Sequence, residues 1–184
     1  MVKHYTVLEG HQTSLGMSYY FASKGNDNII KAVDYSYLMK FKGLKVYNLA
    51  FGDYNAFKDE LDDEANSQNG DVYKVFNTVL STIPAFFDSF PNSMMIVKGS
   101  DSSPSFIQRC KLTCNRNCID RCKKSHRRIN VYLGYVNKNF NELIKRFTFY
   151  GGIENSEQIK IENYVPGKKY DAVLVYKKKF KFAI

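Results

Sequence analysis

Four regularly spaced cysteines are the residues of this sequence best suited to chemistry. They occupy positions 110, 114, 118 and 122, each four residues from the next, and His126 continues the spacing. The chain contains no other cysteine. Thiolates and imidazoles are zinc ligands, and thiols also form disulfides. The spacing therefore predicts either a metal site or a set of paired thiols.

The spacing also limits how the chain can fold around one metal ion. On a single straight helix, Cys110 and Cys122 would lie about 18 Å apart, because each residue rises about 1.5 Å. One zinc ion, with bonds of about 2.3 Å to sulfur, cannot bind all four cysteines in that arrangement. The chain must reverse, and residues 115–117, Asn-Arg-Asn, favour a turn. We expect a short helical hairpin that pairs Cys110 with Cys122 and Cys114 with Cys118.

Four interpretations of this hairpin remain open from the sequence. The first is a structural metal site, with zinc as the leading candidate and all four cysteines as ligands. The second is a pair of disulfides, 110–122 and 114–118. The others are plain packing of small buried thiols and an iron–sulfur or redox centre. Three residues separate successive cysteines here, whereas two are common in zinc motifs. We expect His126 at the surface and not among the ligands.

Basic residues are interleaved with the cysteines. The cysteine segment, defined as residues 106–128, contains one acid, Asp120. Its eight basic residues are Arg109, Lys111, Arg116, Arg121, Lys123, Lys124, Arg127 and Arg128. The whole chain is basic, with a formal net charge of +9. Because such side chains bind phosphate oxygens, the segment predicts binding to nucleic acid or to an acidic protein partner. The C-terminal residues 168–181 add lysines, and the candidates for stacking on bases are Tyr164, Tyr170, Tyr176, Phe180 and Phe182.

Acids at strand positions provide an enzymatic alternative. Asp34, Asp53 and Asp101 are the best placed for a metal-dependent nuclease or toxin-like enzyme, because two-metal chemistry needs several carboxylates around the ions. The sequence has neither a nucleophile elbow nor a glycine-rich phosphate loop. We therefore expect a non-enzymatic binding module. The nuclease is the first alternative, and a structural subunit of a larger assembly is the second.

The hydrophobic pattern predicts the elements that must position these residues. Three strand signals separated by turns indicate an antiparallel meander, at residues 18–23, 29–38 and 44–54. A helix, a strand, a helix and a strand follow, at residues 71–90, 94–98, 129–147 and 148–150. The expected fold class is α+β, a meander followed by α-β-α-β, which is also the element order of ribonuclease-H-like domains. The cysteine-rich hairpin is inserted into it, and residues 53–70 are predicted to be a surface loop.

The chain is long enough and apolar enough for one packed domain. Its 184 residues are 44% hydrophobic. We expect an N-terminal arm over residues 1–17, one α+β domain over 18–152 and a basic C-terminal extension over 153–184. No apolar run approaches the roughly 18 residues that span a bilayer. The first residues are too polar for a secretory signal, so we expect a cytoplasmic protein.

Five sequence blocks are similar to those of a known family. They are residues 20–23 (Tyr-Phe-Ala-Ser), 47–53 (Tyr-Asn-Leu-Ala-Phe-Gly-Asp), 69–75 (Asn-Gly-Asp-Val-Tyr-Lys-Val), 97–100 (Val-Lys-Gly-Ser) and 127–132 (Arg-Arg-Ile-Asn-Val-Tyr). They resemble the signature blocks of a small bacterial domain family of unknown function, found mostly in Bacteroidota-type genomes. The resemblance implies a bacterial cytosolic origin and no established activity. In the short form of that pattern the fourth block runs quickly into the fifth. Residues 101–126 intervene here, so they look like an insertion.

Overall fold

A computed structural model describes residues 4–62, 69–112, 114, 116, 118, 122–154 and 159–178. The described residues form a mixed α+β protein with nine strands and three α-helices. They divide into two compact units, residues 1–94 and 95–184. The division falls inside the span that the sequence predicts as one domain.

The first unit contains an antiparallel meander, as the sequence predicts. Its strands are β1 (Leu8–Thr13), β2 (Gly16–Lys24), β3 (Asn28–Phe41), β4 (Leu44–Asn55) and β5 (Glu60–Asp62). They are hydrogen-bonded in that order, each antiparallel to the next. Successive side chains of a strand point to opposite faces, so each strand presents two sets of residues.

The helix α1 (Val72–Ser89) packs on one face of this meander. It forms because apolar residues recur at helical spacing, and its buried side chains include Val75, Val79 and Phe86. The Tyr35 ring of β3 stacks on Phe86 with ring centroids 4.4 Å apart, and its hydroxyl lies 2.8 Å from the Thr82 hydroxyl. Pro84 lies inside α1, and the helix continues five residues beyond it.

The second unit contains the remaining elements. They are β6 (Ser93–Lys98, whose last four residues belong to this unit), a 3-10 turn (Ser100–Ser102), α2 (Pro104–Leu112), α3 (Arg127–Arg146), β7 (Phe147–Glu154), β8 (Ile159–Asn163) and β9 (Ala172–Lys177). The strands are ordered β6-β9-β7-β8, and β7 is antiparallel to both β8 and β9. Ile129 and Leu133 of α3 and Leu174 of β9 are among its buried side chains.

Several elements lie where the sequence indicates irregular structure. Every residue of β1 is exposed, so the strand shows no hydrophobic alternation, and it lies within the arm at residues 1–17. The residues assigned to the C-terminal extension supply β8 and β9. The sequence predicts a strand at residues 170–176, which β9 confirms, and gives no strand signal for β8. The predicted loop at 53–70 instead carries the end of β4 and the short strand β5, while residues 63–68 lie outside the described part. Among the described residues, no helix combines the length and hydropathy needed to cross a membrane.

Candidate functional site

Asp101 joins the two ends of the segment that the sequence analysis treats as an insertion, residues 101–126. Its buried carboxylate accepts backbone hydrogen bonds from Arg127 at 2.9 Å and Arg128 at 3.1 Å, the first residues of α3. Its backbone carbonyl accepts a 3.3 Å bond from the His126 amide. The first residues of a helix have amides without partners inside the helix, so Asp101 satisfies two of them. The residues at the start and the end of this segment are therefore hydrogen-bonded to each other.

Two of the sequence blocks meet beside this carboxylate. Arg128 donates a 3.0 Å hydrogen bond from Nη1 to the Ser100 hydroxyl. A Cβ atom on Gly99 would lie 2.9 Å from an Asp101 carboxylate oxygen and 3.0 Å from the Ile129 amide nitrogen. Glycine is required there because the backbones approach so closely. The contacts between residues 97–100 and residues 127–132 thus hold the two ends of the segment together. We call this contact region the base of the segment.

His126 belongs to this base and not to the cysteines. Its φ angle of 59° is left-handed, a conformation that histidine adopts more readily than most residues. Its Nδ1 atom lies 3.9 Å from a carboxylate oxygen of Asp171, and the His126 side chain is 44% exposed. The expected surface position of His126 is confirmed.

The four cysteines form two contacting pairs. Cys110 and Cys122 have sulfur atoms 3.5 Å apart, and Cys114 and Cys118 have sulfur atoms 3.4 Å apart. All four are free thiols. The chain must therefore reverse between them, as helical geometry requires, and the pairing is the expected one. Residues 115 and 117, where the turn is predicted, lie outside the described residues.

The thiols differ in their surroundings. Contact with the Cys122 thiol, together with burial, raises the pKa of Cys110 to about 11. A backbone hydrogen bond from Arg116, and then the Cys118 thiol, lower the pKa of Cys114. The Lys123 amide donates a 3.3 Å bond to the Cys118 sulfur. Within the described residues, no three His, Cys, Asp or Glu side chains form a ready-made metal site.

Most of the basic residues that are predicted to bind a partner lie at the surface. Those that are exposed are Arg109, Lys111, Arg116, Lys123 and Arg127. Lys124 and Arg128 are half-buried, and Arg121 lies outside the described residues. The Lys123 ammonium group donates a 3.3 Å bond to the Arg116 carbonyl, which joins two basic positions of the segment.

The three aspartates proposed for the nuclease alternative have different surroundings in the structure. Asp53 of β4 pairs with the buried Lys31 directly opposite it on β3. Asp34 is three residues from Lys31 in a regular part of β3, so it points to the opposite face of the meander from Asp53. Asp101 belongs to the second unit and binds the amides of α3. Asp34 and Asp53 therefore cannot coordinate the same metal ion.

The sequence analysis missed a polar cluster around Asp34. Ser18 lies directly opposite Asp34 on β2, and its hydroxyl is 3.2 Å from Nδ1 of His11. Burial raises the pKa of Asp34, and the hydroxyl of Ser36 and the charge of His11 partly offset this rise. His11 lies in the exposed strand β1, where no sequence pattern indicated a strand. Of the candidate stacking residues, Tyr164 and Tyr170 are buried, so they cannot serve as a platform for bases. Tyr176 is half-buried, and Phe180 and Phe182 lie outside the described residues.

The fold and this segment define a mixed α+β protein with a basic, cysteine-rich element between a strand and a helix. The chain belongs to the family described as "Family of unknown function (DUF6934)", whose model matches residues 2–121. The expected membership in a family of unknown function is confirmed. The match includes Cys110, Cys114 and Cys118 and ends one residue before Cys122. No curated protein and no solved structure matches the chain.

Proposed function

We propose that this protein is a binding module for nucleic acid and that the cysteine segment carries its binding surface. The observation that carries the proposal is the contact of Cys110 with Cys122, whose sulfur atoms are 3.5 Å apart. Lys111 follows Cys110 in the chain and Lys123 follows Cys122, so this contact brings two basic positions near each other that are 12 residues apart in the sequence.

The charge of the folded segment suits a polyanion. Eight basic residues less one acid give residues 106–128 a net charge of +7, out of +9 for the whole chain. The exposed Lys111 lies next to Cys110 in the chain, and the exposed Lys123 lies next to Cys122. A concentrated positive surface attracts nucleic acid because binding releases the counterions of the phosphates.

The residue types suit phosphate recognition. Five of the eight basic residues are arginines: Arg109, Arg116, Arg121, Arg127 and Arg128. The planar guanidinium group binds phosphate or carboxylate oxygens through two parallel hydrogen bonds. We place nucleic acid ahead of an acidic protein as the partner because its phosphates form a dense, regular array of negative charges that a concentrated basic segment can neutralise together.

A salt series on a matched pair of variants tests the proposal. The test variant carries Lys111→Gln, Arg116→Gln and Arg127→Gln, all at exposed positions of the segment. The control carries Lys40→Gln, Lys45→Gln and Lys160→Gln, which remove the same charge from exposed positions outside it. Affinity for fluorescent single- and double-stranded DNA and RNA is measured by anisotropy between 50 and 300 mM salt, and circular dichroism verifies that both variants fold.

The proposal expects the two variants to differ sharply. The test variant should bind at least about 10-fold more weakly, and its slope of log affinity against log salt on duplex DNA should fall by about 2.7, or about 0.9 per lost phosphate contact. The control should retain the wild-type slope. Equal losses in both variants would show that net charge alone acts, which contradicts the proposal. Binding to polyglutamate without binding to nucleic acid would favour an acidic protein partner instead.

A further inference from the structure

We infer that one Zn²⁺ ion binds between the two cysteine pairs, with Cys110, Cys114, Cys118 and Cys122 as its four ligands. This inference concerns the interior of the cysteine segment. It does not depend on the proposal that the outer surface of the segment binds nucleic acid.

The sulfur separations favour a metal over disulfides. Tetrahedral zinc with bonds of about 2.3 Å to sulfur holds its ligand atoms about 3.8 Å apart. The two pairs are at 3.5 and 3.4 Å, so each must lengthen by only about 0.3 to 0.4 Å. A disulfide has a bond of about 2.05 Å, so each pair would have to shorten by about 1.4 Å.

The chain holds the two pairs near each other. Cys110 and Cys114 belong to different pairs and are only four residues apart in the sequence. Cys110 contacts Cys122, and Cys114 contacts Cys118. No three of them form a ready-made site among the described residues, so the ion itself must draw the pairs into a tetrahedron. Such coupling of metal binding to local folding is usual for small structural zinc sites.

The surroundings suit the charge of this site. Zinc with four thiolates carries two net negative charges, which basic neighbours offset. Lys111 follows Cys110 in the chain, and Lys123 follows Cys122. The Lys123 amide also donates to the Cys118 sulfur at 3.3 Å, a bond that stabilises a thiolate. His126 lies near Asp171 instead, which leaves the four sulfur atoms as the ligand set.

The test uses the full chain, purified without chelators or thiol reagents. Zinc per chain is measured by elemental analysis, and thiols are titrated before and after chelation. Zinc is then replaced by Co²⁺, because tetrahedral cobalt–thiolate sites have intense visible and charge-transfer absorption. The variants are Cys110→Ser, Cys114→Ser, Cys118→Ser and Cys122→Ser. His126→Asn is the matched control, since asparagine also tolerates the left-handed backbone at this position.

The inference expects one zinc per chain, protected thiols that react only after chelation, and a tetrahedral cobalt spectrum. Each serine variant should lose the zinc or its cobalt spectrum, and His126→Asn should keep both. Disulfides in the native protein, or four freely reacting thiols without metal, would overturn it. Zinc that survives all four serine variants would be an adventitious ion only. Because metal content is measured without nucleic acid, failure here is separate from failure of the salt series.

Discussion

The Ser23 hydroxyl of β2 donates a 2.7 Å hydrogen bond to the carboxylate of Asp71, the residue that precedes α1. The same carboxylate oxygen accepts a 2.8 Å bond from the Tyr5 hydroxyl. The side-chain amide of Asn69 donates to the Ser23 hydroxyl at 3.0 Å. Residues far apart in sequence therefore meet at one carboxylate. The sequence blocks 20–23 and 69–75 have a common structural role, because they attach α1 to the end of the β2–β3 hairpin.

Removing the Ser23 hydroxyl should destabilise the first unit. Ser23 is completely buried, and its loss removes one hydrogen bond from Asp71 and one from Asn69. We expect Ser23→Ala to lower the free energy of unfolding by about 1–2 kcal/mol. Urea denaturation measures the change. Ser14→Ala, at an exposed position, is the control and should change stability by less than about 0.5 kcal/mol. Equal effects from the two variants would show that the bond to Asp71 contributes nothing.

Lys31 and Asp53 form a buried ion pair, so we expect their contributions to stability to depend on each other. The Lys31 side chain is only 8% exposed, so Asp53→Ala leaves an unpaired ammonium group away from water. We expect this variant to lose about 3 kcal/mol of stability. The double variant Lys31→Met and Asp53→Leu should recover most of the loss, because it buries no charge. A double variant no more stable than Asp53→Ala would contradict this interpretation.

Asp34 should make the stability of the protein depend on pH. Burial raises its pKa above the ordinary 3.8, so the folded state favours the protonated carboxyl and its ionisation opposes folding. Asp34→Asn should therefore raise the melting temperature at neutral pH, with a gain of about 0.5 kcal/mol. The gain should shrink as the pH falls through the raised folded-state pKa of Asp34 towards 3.8, because below 3.8 the carboxyl is protonated in both states. Melting curves of the two proteins across pH measure this, and a constant difference would argue against it.

Asp101 should act as a structural residue. Replacing it by alanine removes the partner of the Arg127 and Arg128 amides, so we expect a loss of about 1–2 kcal/mol. Asp101→Asn keeps an oxygen acceptor and should cost less. Chemical denaturation compares the two variants. Cleavage of nucleic acid that requires Mg²⁺ or Mn²⁺ and disappears in Asp101→Asn would instead support the nuclease alternative.

The regular spacing of apolar residues made most of the fold predictable from the sequence. The meander and the helices over 72–89 and 127–146 were recognisable because their apolar residues repeat at strand or helix spacing. The strand β1 was not recognisable, because all six of its residues are exposed and its stability comes from backbone pairing with β2. The strand β5 is only three residues long, which is too short for an alternation of apolar and polar residues to be recognised.

The candidate site was only partly predictable from the sequence. Geometry alone required the reversal that brings Cys110 to Cys122, and the structure contains it. The part played by Asp101 was not predictable, because its partners are backbone amides that lie 26 and 27 residues away. The closeness of His11, Ser18 and Asp34 depends on an irregular register between β1 and β2, which no residue type indicated.

The most direct test of the account removes the cysteine segment from an otherwise intact chain. The His126 amide lies 3.3 Å from the Asp101 carbonyl oxygen, so a four-residue Gly-Ser linker can replace residues 103–124 without displacing the base. Affinity for DNA and RNA is then measured by anisotropy at several salt concentrations, alongside a thermal melt. We predict a variant that unfolds cooperatively and no longer binds nucleic acid. A folded variant that binds with the wild-type affinity and salt slope would contradict the claim that this segment is the binding surface.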